Sequence, residues 1–188
     1  MNFGAITPND AALLEALVMR FKGRILRFLE IGTHEGNTAR GVKELCDRDG
    51  ISIDLRYYGI DARDLPPPFD GAWQISGRSE EAWEFIPGNM DIVFVDGCHC
   101  INHVILDVVH YSAKVVVGGY MVFHDTDPQV QGVQTNPWVH KGDGPIYRTA
   151  VLAALEKLGW PNERWQLDLT ASDPQSDIGG MMAFRRGA

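Results

Sequence analysis

The chain has 188 residues, 45% of them hydrophobic, with 17 Lys and Arg against 25 Asp and Glu, a net charge of −8. That size and apolar share suit a single domain over residues 1–188 with one sizeable core, and an acidic surface gains nothing from counterion release, which argues against nucleic acid as partner. No apolar run approaches the ~20 residues that cross a bilayer, Met1–Ala12 lacks a signal peptide's basic and apolar regions, and Cys46, Cys98 and Cys100 form no even framework. A soluble, cytoplasmic protein with reduced thiols and no membrane contact is expected.

Ala11, Leu14, Leu17, Val18 and Phe21 recur at helical spacing between Pro8 and Phe21, with Asn9 or Asp10 placed as cap. This predicts a covering helix within residues 1–22. The apolar run Ile25–Ile31 reads as a first strand, ending in Glu30, Gly32 and Gly36 before a helix-competent run from Asn37 that should close near Asp49–Gly50. Strand, tight glycine turn, helix is a place where a ligand can lie against the backbone. The spacing here is E-x-G-x-x-x-G, not the G-x-G-x-x-G of a dinucleotide pyrophosphate site.

Leu55–Ile60 forms a second strand tipped by Asp61, a carboxylate placed to accept paired ribose hydroxyls; a solvated turn-capping Asp is the alternative. Pro66-Pro67-Pro68 cannot continue a helix, so the element after that strand should be reduced. Trp73–Ser76 is a short third strand, and Gly77-Arg78-Ser79 leads to a helix over Glu80–Ile86 with Ser79 as cap and Trp83 read as core.

Asp91–Val95 reads as a buried strand that ends in Asp96-Gly97-Cys98-His99. A helix from about Asn102 to Ala113 follows, Gly118-Gly119 turns the chain, and the strand Tyr120–Phe123 ends in His124-Asp125-Thr126. Two adjacent strand tips, ~4.8 Å apart, thus each carry an Asp and a His. His99 reads as a general base or as a capping residue. Consecutive residues on a strand point to opposite faces, so His124 and Asp125 can share a site only if the strand has bent. Cys98-His99-Cys100 lacks the second Cys pair usual in structural zinc sites, so no zinc site is expected there, and His103 and His110 are read as surface residues.

Residues 127–145 shift to Pro, Gln, Gly and Asn with Trp138, and are read as a flap over an acceptor pocket. A helix over Ile146–Leu158, closed by Gly159, and a hairpin of Trp165–Leu169 with Met181–Phe184 complete seven strands.

The stretch Glu30-Ile-Gly32-Thr-His-Glu-Gly36-Asn-Thr resembles the first motif of class I S-adenosylmethionine-dependent methyltransferases. VDGCH, helix, GGYMVFHDT is similar to the small O-methyltransferase branch with D-G-x-H and H-D motifs, near the macrolide-sugar O-methyltransferases and cephalosporin-hydroxylase-like proteins. The resemblance covers about Arg24 to Asp127. It implies an α/β three-layer Rossmann-like sandwich, with a seven-stranded mostly parallel sheet in the order 3-2-1-4-5-7-6 and strand 7 antiparallel. It further implies S-adenosyl-L-methionine contacts at Glu30, Gly32, Thr33, Gly36, Asn37, Thr38, Asp61, Ala62, Gly77, Arg78, Ser79, Asp96 and Gly97. His99 would be the base, and Asp96, His124 and Asp125 would hold a divalent ion. A histidine among the ligands suits manganese, iron or zinc as well as magnesium, and a metal-free cluster stays open beside the metal site. The implied reaction is O-methylation of a small-molecule or sugar hydroxyl, with a homodimer partner or the flap completing the acceptor pocket. A cofactor-binding domain without chemistry is the alternative, and a nicotinamide-dependent oxidoreductase the more remote one.

Overall fold

The computed structural model describes residues 6–126, 150–172 and 179–188. Helix α1, Pro8–Met19, is followed by β1 Ile25–Ile31, α2 Asn37–Asp47, β2 Asp54–Asp61 and β3 Trp73–Ser76. A short α3, Ser79–Ala82, runs into a 3-10 turn, then come β4 Met90–Val95, α4 Ile101–Tyr111, β5 Val115–His124, α5 Ala150–Lys157, β6 Trp165–Ala171 and β7 Met181–Arg186. The strands form one sheet in the order β3-β2-β1-β4-β5-β7-β6. β1 to β5 pair in parallel, and β7 pairs antiparallel with both β5 and β6. The expected fold is therefore the observed one.

The parallel strands are apolar on both faces because helices cover both. Leu26 and Phe28 of β1, Ile92 and Phe94 of β4, and Tyr120 and Val122 of β5 pack with α1 and α2. The alternate residues Leu29, Ile31, Val93, Val95, Met121 and Phe123 pack with α4 and α5. Phe28, Phe94 and Phe123 are fully buried, each worth roughly 1.5–3 kcal/mol against exposure.

Several boundaries differ from those expected. α1 is capped by Thr7, not by Asn9 or Asp10: the Thr7 hydroxyl accepts from the Asp10 backbone N–H, and the Asp10 carboxylate accepts from the Thr7 backbone in return. Arg48 ends α2 in an extended conformation, and Gly50 lies beyond it. Ser79 is the first residue of α3 and Arg78 the cap, so Ser79 does not cap that helix. Its carbonyl accepts instead from the Tyr111 hydroxyl at 2.7 Å. Gly118-Gly119 lies inside β5, not before it, where the register with β4 shifts between Met90 and Ile92. A Cβ on Gly119 would stand 2.8 Å from the Asp91 carbonyl oxygen, so the irregularity requires glycine. The flap at 127–145, Trp138 and the first residues of the Ile146–Leu158 helix lie outside the described residues. Among those described, no helix is long and apolar enough to cross a membrane.

Candidate active site

The carboxyl edge of the sheet gathers the polar residues. Gly32 follows β1 with φ of 91°, and a Cβ there would stand 2.3 Å from the Asp96 carbonyl oxygen and 2.6 Å from the Gly97 Cα. Backbone conformation and close approach each demand glycine. Gly36, the left-handed N-cap of α2, lies under Pro68, whose Cβ would be 2.6 Å from an added side chain. The last of the three prolines thus packs against the turn. Thr33 is buried, accepting from Gln74 Nε2 at 3.2 Å; Asn37 accepts from Arg40 at 2.7 Å.

Glu30 sits beneath this turn, 1% exposed, accepting a hydrogen bond from the Tyr57 hydroxyl. Burial drives its pKa up, the Tyr57 and Thr38 hydrogen bonds oppose this, and the charges of Asp96 and Asp61 add to the rise, leaving it at about 8. Its carboxyl is therefore held toward the neutral form at pH 7. Asp61 at the β2 tip is also buried, but ionised. Its oxygens accept from the His34 backbone at 2.7 Å, the Arg63 backbone at 3.0 Å, and Arg63 Nε and Nη2 at 2.9 and 3.1 Å. Burial would raise its pKa; the Arg63 and His34 hydrogen bonds outweigh this and hold it below the usual range. Ala62 is exposed beside it. The Gly77 N–H donates to the Asp61 carbonyl at 2.8 Å, and Arg78 pairs with Glu80 at 2.6 Å.

The second centre joins the tips of β4 and β5. His124 continues the face of Tyr120 and Val122, as alternation dictates. Asp125 would point to the opposite face, yet it adopts a left-handed conformation, φ 54°. That bend returns its carboxylate to the same side, 3.6 Å from His124 Nδ1 and 3.0 Å from His99 Nδ1. Asp carries this conformation better than most residues, and the Gly179 N–H donates to Asp125 Oδ1 at 3.2 Å. Asp96 Oδ1 lies 3.0 Å from His124 Nδ1 and 3.6 Å from His99 Nε2.

Asp96, His124 and Asp125 each offer a ligand atom, and these lie within 4.8 Å of one another. The three predicted metal donors are thus brought together, with the predicted base against two of them. Burial alone would lower the pKa of His99, but its hydrogen bonds to Asp125 and Asp96 and their charges raise it to about 10. His124 is likewise raised by Asp96, Asp10 and Asp125 against burial. Burial works to raise both carboxylates, and the two imidazoles outweigh it and hold Asp96 and Asp125 low. The surrounding carboxylates thus hold both imidazoles toward their protonated forms.

Two residues of this edge were not anticipated as site residues. Asp10, fully buried on α1, has Oδ2 3.5 Å from His124 Nε2, so the covering helix supplies a third carboxylate to the cluster. The T-x-x-D capping box was its signal in the sequence. Arg63 occupies Asp61 in two-pronged fashion, and nothing in its surrounding sequence marks it. Trp83, read as core, is half-buried and stacks on His110 at 5.0 Å. His103 and His110, read as surface residues, are both half-buried.

A methyltransferase domain family matches residues 29–126, just over half of the chain. An uncharacterised protein, R132, of Acanthamoeba polyphaga mimivirus is 28% identical over 152 residues, spanning 74% of this chain and 69% of that protein. The fold is similar to an O-methyltransferase from Bacillus cereus in complex with SAH, with TM-score 0.65 and 14% identity over 96% of this chain and 82% of that one. It is similar to MycE, a methyltransferase of the mycinamycin biosynthetic pathway in complex with Mg, SAH and mycinamycin VI, with TM-score 0.61 and 18% identity over 93% of this chain and 49% of that one. It is also similar to an rRNA methylase from Streptococcus thermophilus, with TM-score 0.66 and 10% identity over 98% and 100%. Matched family, strand order and glycine turn agree, and the chain belongs to the methyltransferase domain family, with the class I S-adenosylmethionine-dependent fold.

Proposed function

We propose that this chain transfers the methyl group of S-adenosylmethionine to a hydroxyl oxygen of a small molecule or sugar. One observation carries the reading: the glycine turn that would cradle the cofactor touches the Asp96–Gly97 backbone, three residues before an imidazole clamped by two carboxylates. A cofactor turn and a proton acceptor are thereby adjacent at one sheet edge. The donor set fits the cofactor's polar ends, since Asp61 offers a buried ionised carboxylate and the Gly32 turn offers backbone that no Cβ obstructs.

When bound, the cofactor supplies an electrophilic methyl group. The chain's share is then positioning for in-line displacement and removal of the acceptor's proton. Asp61 would hold the ribose with displacement or sharing of Arg63, and Asp125 and Asp96 would orient His99 toward the acceptor. His99 takes a proton only from its neutral form, so another positive charge must first satisfy Asp96 and Asp125. Asp96, His124 and Asp125 would hold a divalent ion whose chemistry is to orient an acceptor oxygen and lower its pKa. The small-molecule acceptor is favoured over nucleic acid by the net charge of −8.

The second reading, a domain that binds the cofactor without chemistry, is favoured by the imidazolium character of His99. Calorimetric titration of S-adenosylhomocysteine into wild type, Asp61→Ala and His99→Gln separates the readings when combined with tritium-methyl transfer to sugar and phenolic acceptors. Binding in wild type, lost in Asp61→Ala and kept in His99→Gln, with transfer lowered ~10²–10⁴-fold in His99→Gln, is the expected result. Binding with no transfer to any acceptor would favour the second reading. Binding of NADH in place of S-adenosylhomocysteine by folded protein would overturn both.

A further inference from the structure

A second cluster forms where the loop after β4 enters α4. Cys98 Sγ is 2.8 Å from Cys100 Sγ, and Cys100 Sγ is 3.0 Å from His103 Nδ1. One ligand atom from each of the three falls within 4.8 Å of the others. The local fold explains the convergence. Cys98 lies in the loop after β4, Cys100 is the N-cap of α4, and His103 is in its first turn, three residues on and therefore on the same helix face. One turn further, Asp107 is 1% exposed, and its Oδ1 has no hydrogen-bond partner among the described residues. A buried carboxylate oxygen left this way costs free energy that a nearby cation would offset.

We propose that Cys98, Cys100 and His103 form a site for a soft divalent cation of the zinc class. Two sulfurs and one imidazole nitrogen are the donors that such ions take and that magnesium and calcium do not. The sequence lacks a second cysteine pair; in the structure α4 supplies the third donor, leaving a fourth position for water or an outside ligand. The site is separate from Asp96, His124 and Asp125. It also reaches two neighbours: His99 lies between the two cysteines, and His103 Nε2 is 3.4 Å from Arg78 in the turn after β3. A bound ion would therefore pin the loop carrying His99 to the start of α4. The binding claim does not depend on methyl transfer.

The test uses the full chain, reduced with a phosphine and stripped of metal. Cobalt(II) is titrated first, and zinc then competes against a chromogenic chelator. The expected result is a thiolate-to-metal charge-transfer band with the intensity of one thiolate-bound cobalt per chain, displaced by zinc, and a rise in melting temperature with zinc. Cys98→Ser and Cys100→Ser should each lose the band and weaken zinc binding by at least about 100-fold, and His103→Gln should shift and weaken it. Asp125→Asn should leave the band unchanged. Should a cysteine variant fail to fold, the wild-type band and its intensity still decide the matter. Folded, reduced wild-type protein that shows no thiolate band overturns the proposal. So does a band that survives in the cysteine variants, or cobalt binding that vanishes only in Asp125→Asn.

Discussion

Glu30 illustrates what a single residue's surroundings can do. Its pKa of about 8 lies above the value of 4.5 it has when exposed, so its contribution to stability is complete below about pH 4.5 and is lost as pH rises through 8. Glu30→Gln removes this dependence while keeping an acceptor for Tyr57. The variant should lose less stability than wild type between pH 5 and 8, by on the order of 3 kcal/mol, as read from urea midpoints across that range. Identical slopes with pH for the two proteins would show that Glu30 ionises normally. A second expectation concerns Asp125, whose left-handed backbone matters as much as its charge. Asp125→Asn tolerates that conformation but removes the charge that faces His99, and should melt below wild type. Asp125→Ala also meets the backbone penalty of roughly 1 kcal/mol and should melt lower still, by differential scanning calorimetry.

At the scale of elements, the β1–α2 turn and α1 carry the clearest consequences. Gly32→Ala places a Cβ 2.3 Å from the Asp96 carbonyl in a backbone conformation costly to alanine, and both atoms are backbone that cannot step aside cheaply. A loss of more than about 2 kcal/mol is expected, with a circular-dichroism melt lowered by several degrees or no soluble protein. Retention of the wild-type melt would mean that the turn is not built this way. For α1, the capping box does double duty because Asp10 faces His124 as well as Thr7. Thr7→Ala should cost about 1 kcal/mol, the worth of a helix cap. Asp10→Ala should cost more, since it also leaves His124 without one of its carboxylates.

For the molecule as a whole, bound ions and cofactor act on stability by mass action. Manganese at about 100 times its dissociation constant should add ~2.7 kcal/mol, raise the melting temperature, and lose the effect with chelator. That rise should be absent in Asp96→Asn and preserved in Cys98→Ser, which separates the carboxylate site from the sulfur site. No rise in wild type would leave a metal-free cluster as the state of the protein.

The sequence by itself determined the sheet. Its apolar runs and their glycine and proline breaks specified seven strands, because buried parallel strands must be apolar on both faces and must turn at residues that permit it, and the resemblance of the glycine turn and the two Asp–His tips to class I methyltransferases implied their order. It also placed Glu30, Asp61, His99 and Asp125 at strand ends, since polar residues closing apolar runs are visible in any linear reading. Only the tertiary structure decided what those residues face. Periodicity is blind to an unusual φ, so alternation alone sent Asp125 to the wrong side of the sheet. Local pattern cannot say that the cap of α1 reaches His124, that Arg63 folds back on Asp61, or that a helix brings His103 to two cysteines, because these contacts join positions through packing. The distance between Asp10 and His124 is set by how α1 lies on the sheet, which is a property of the assembled core and of no single stretch.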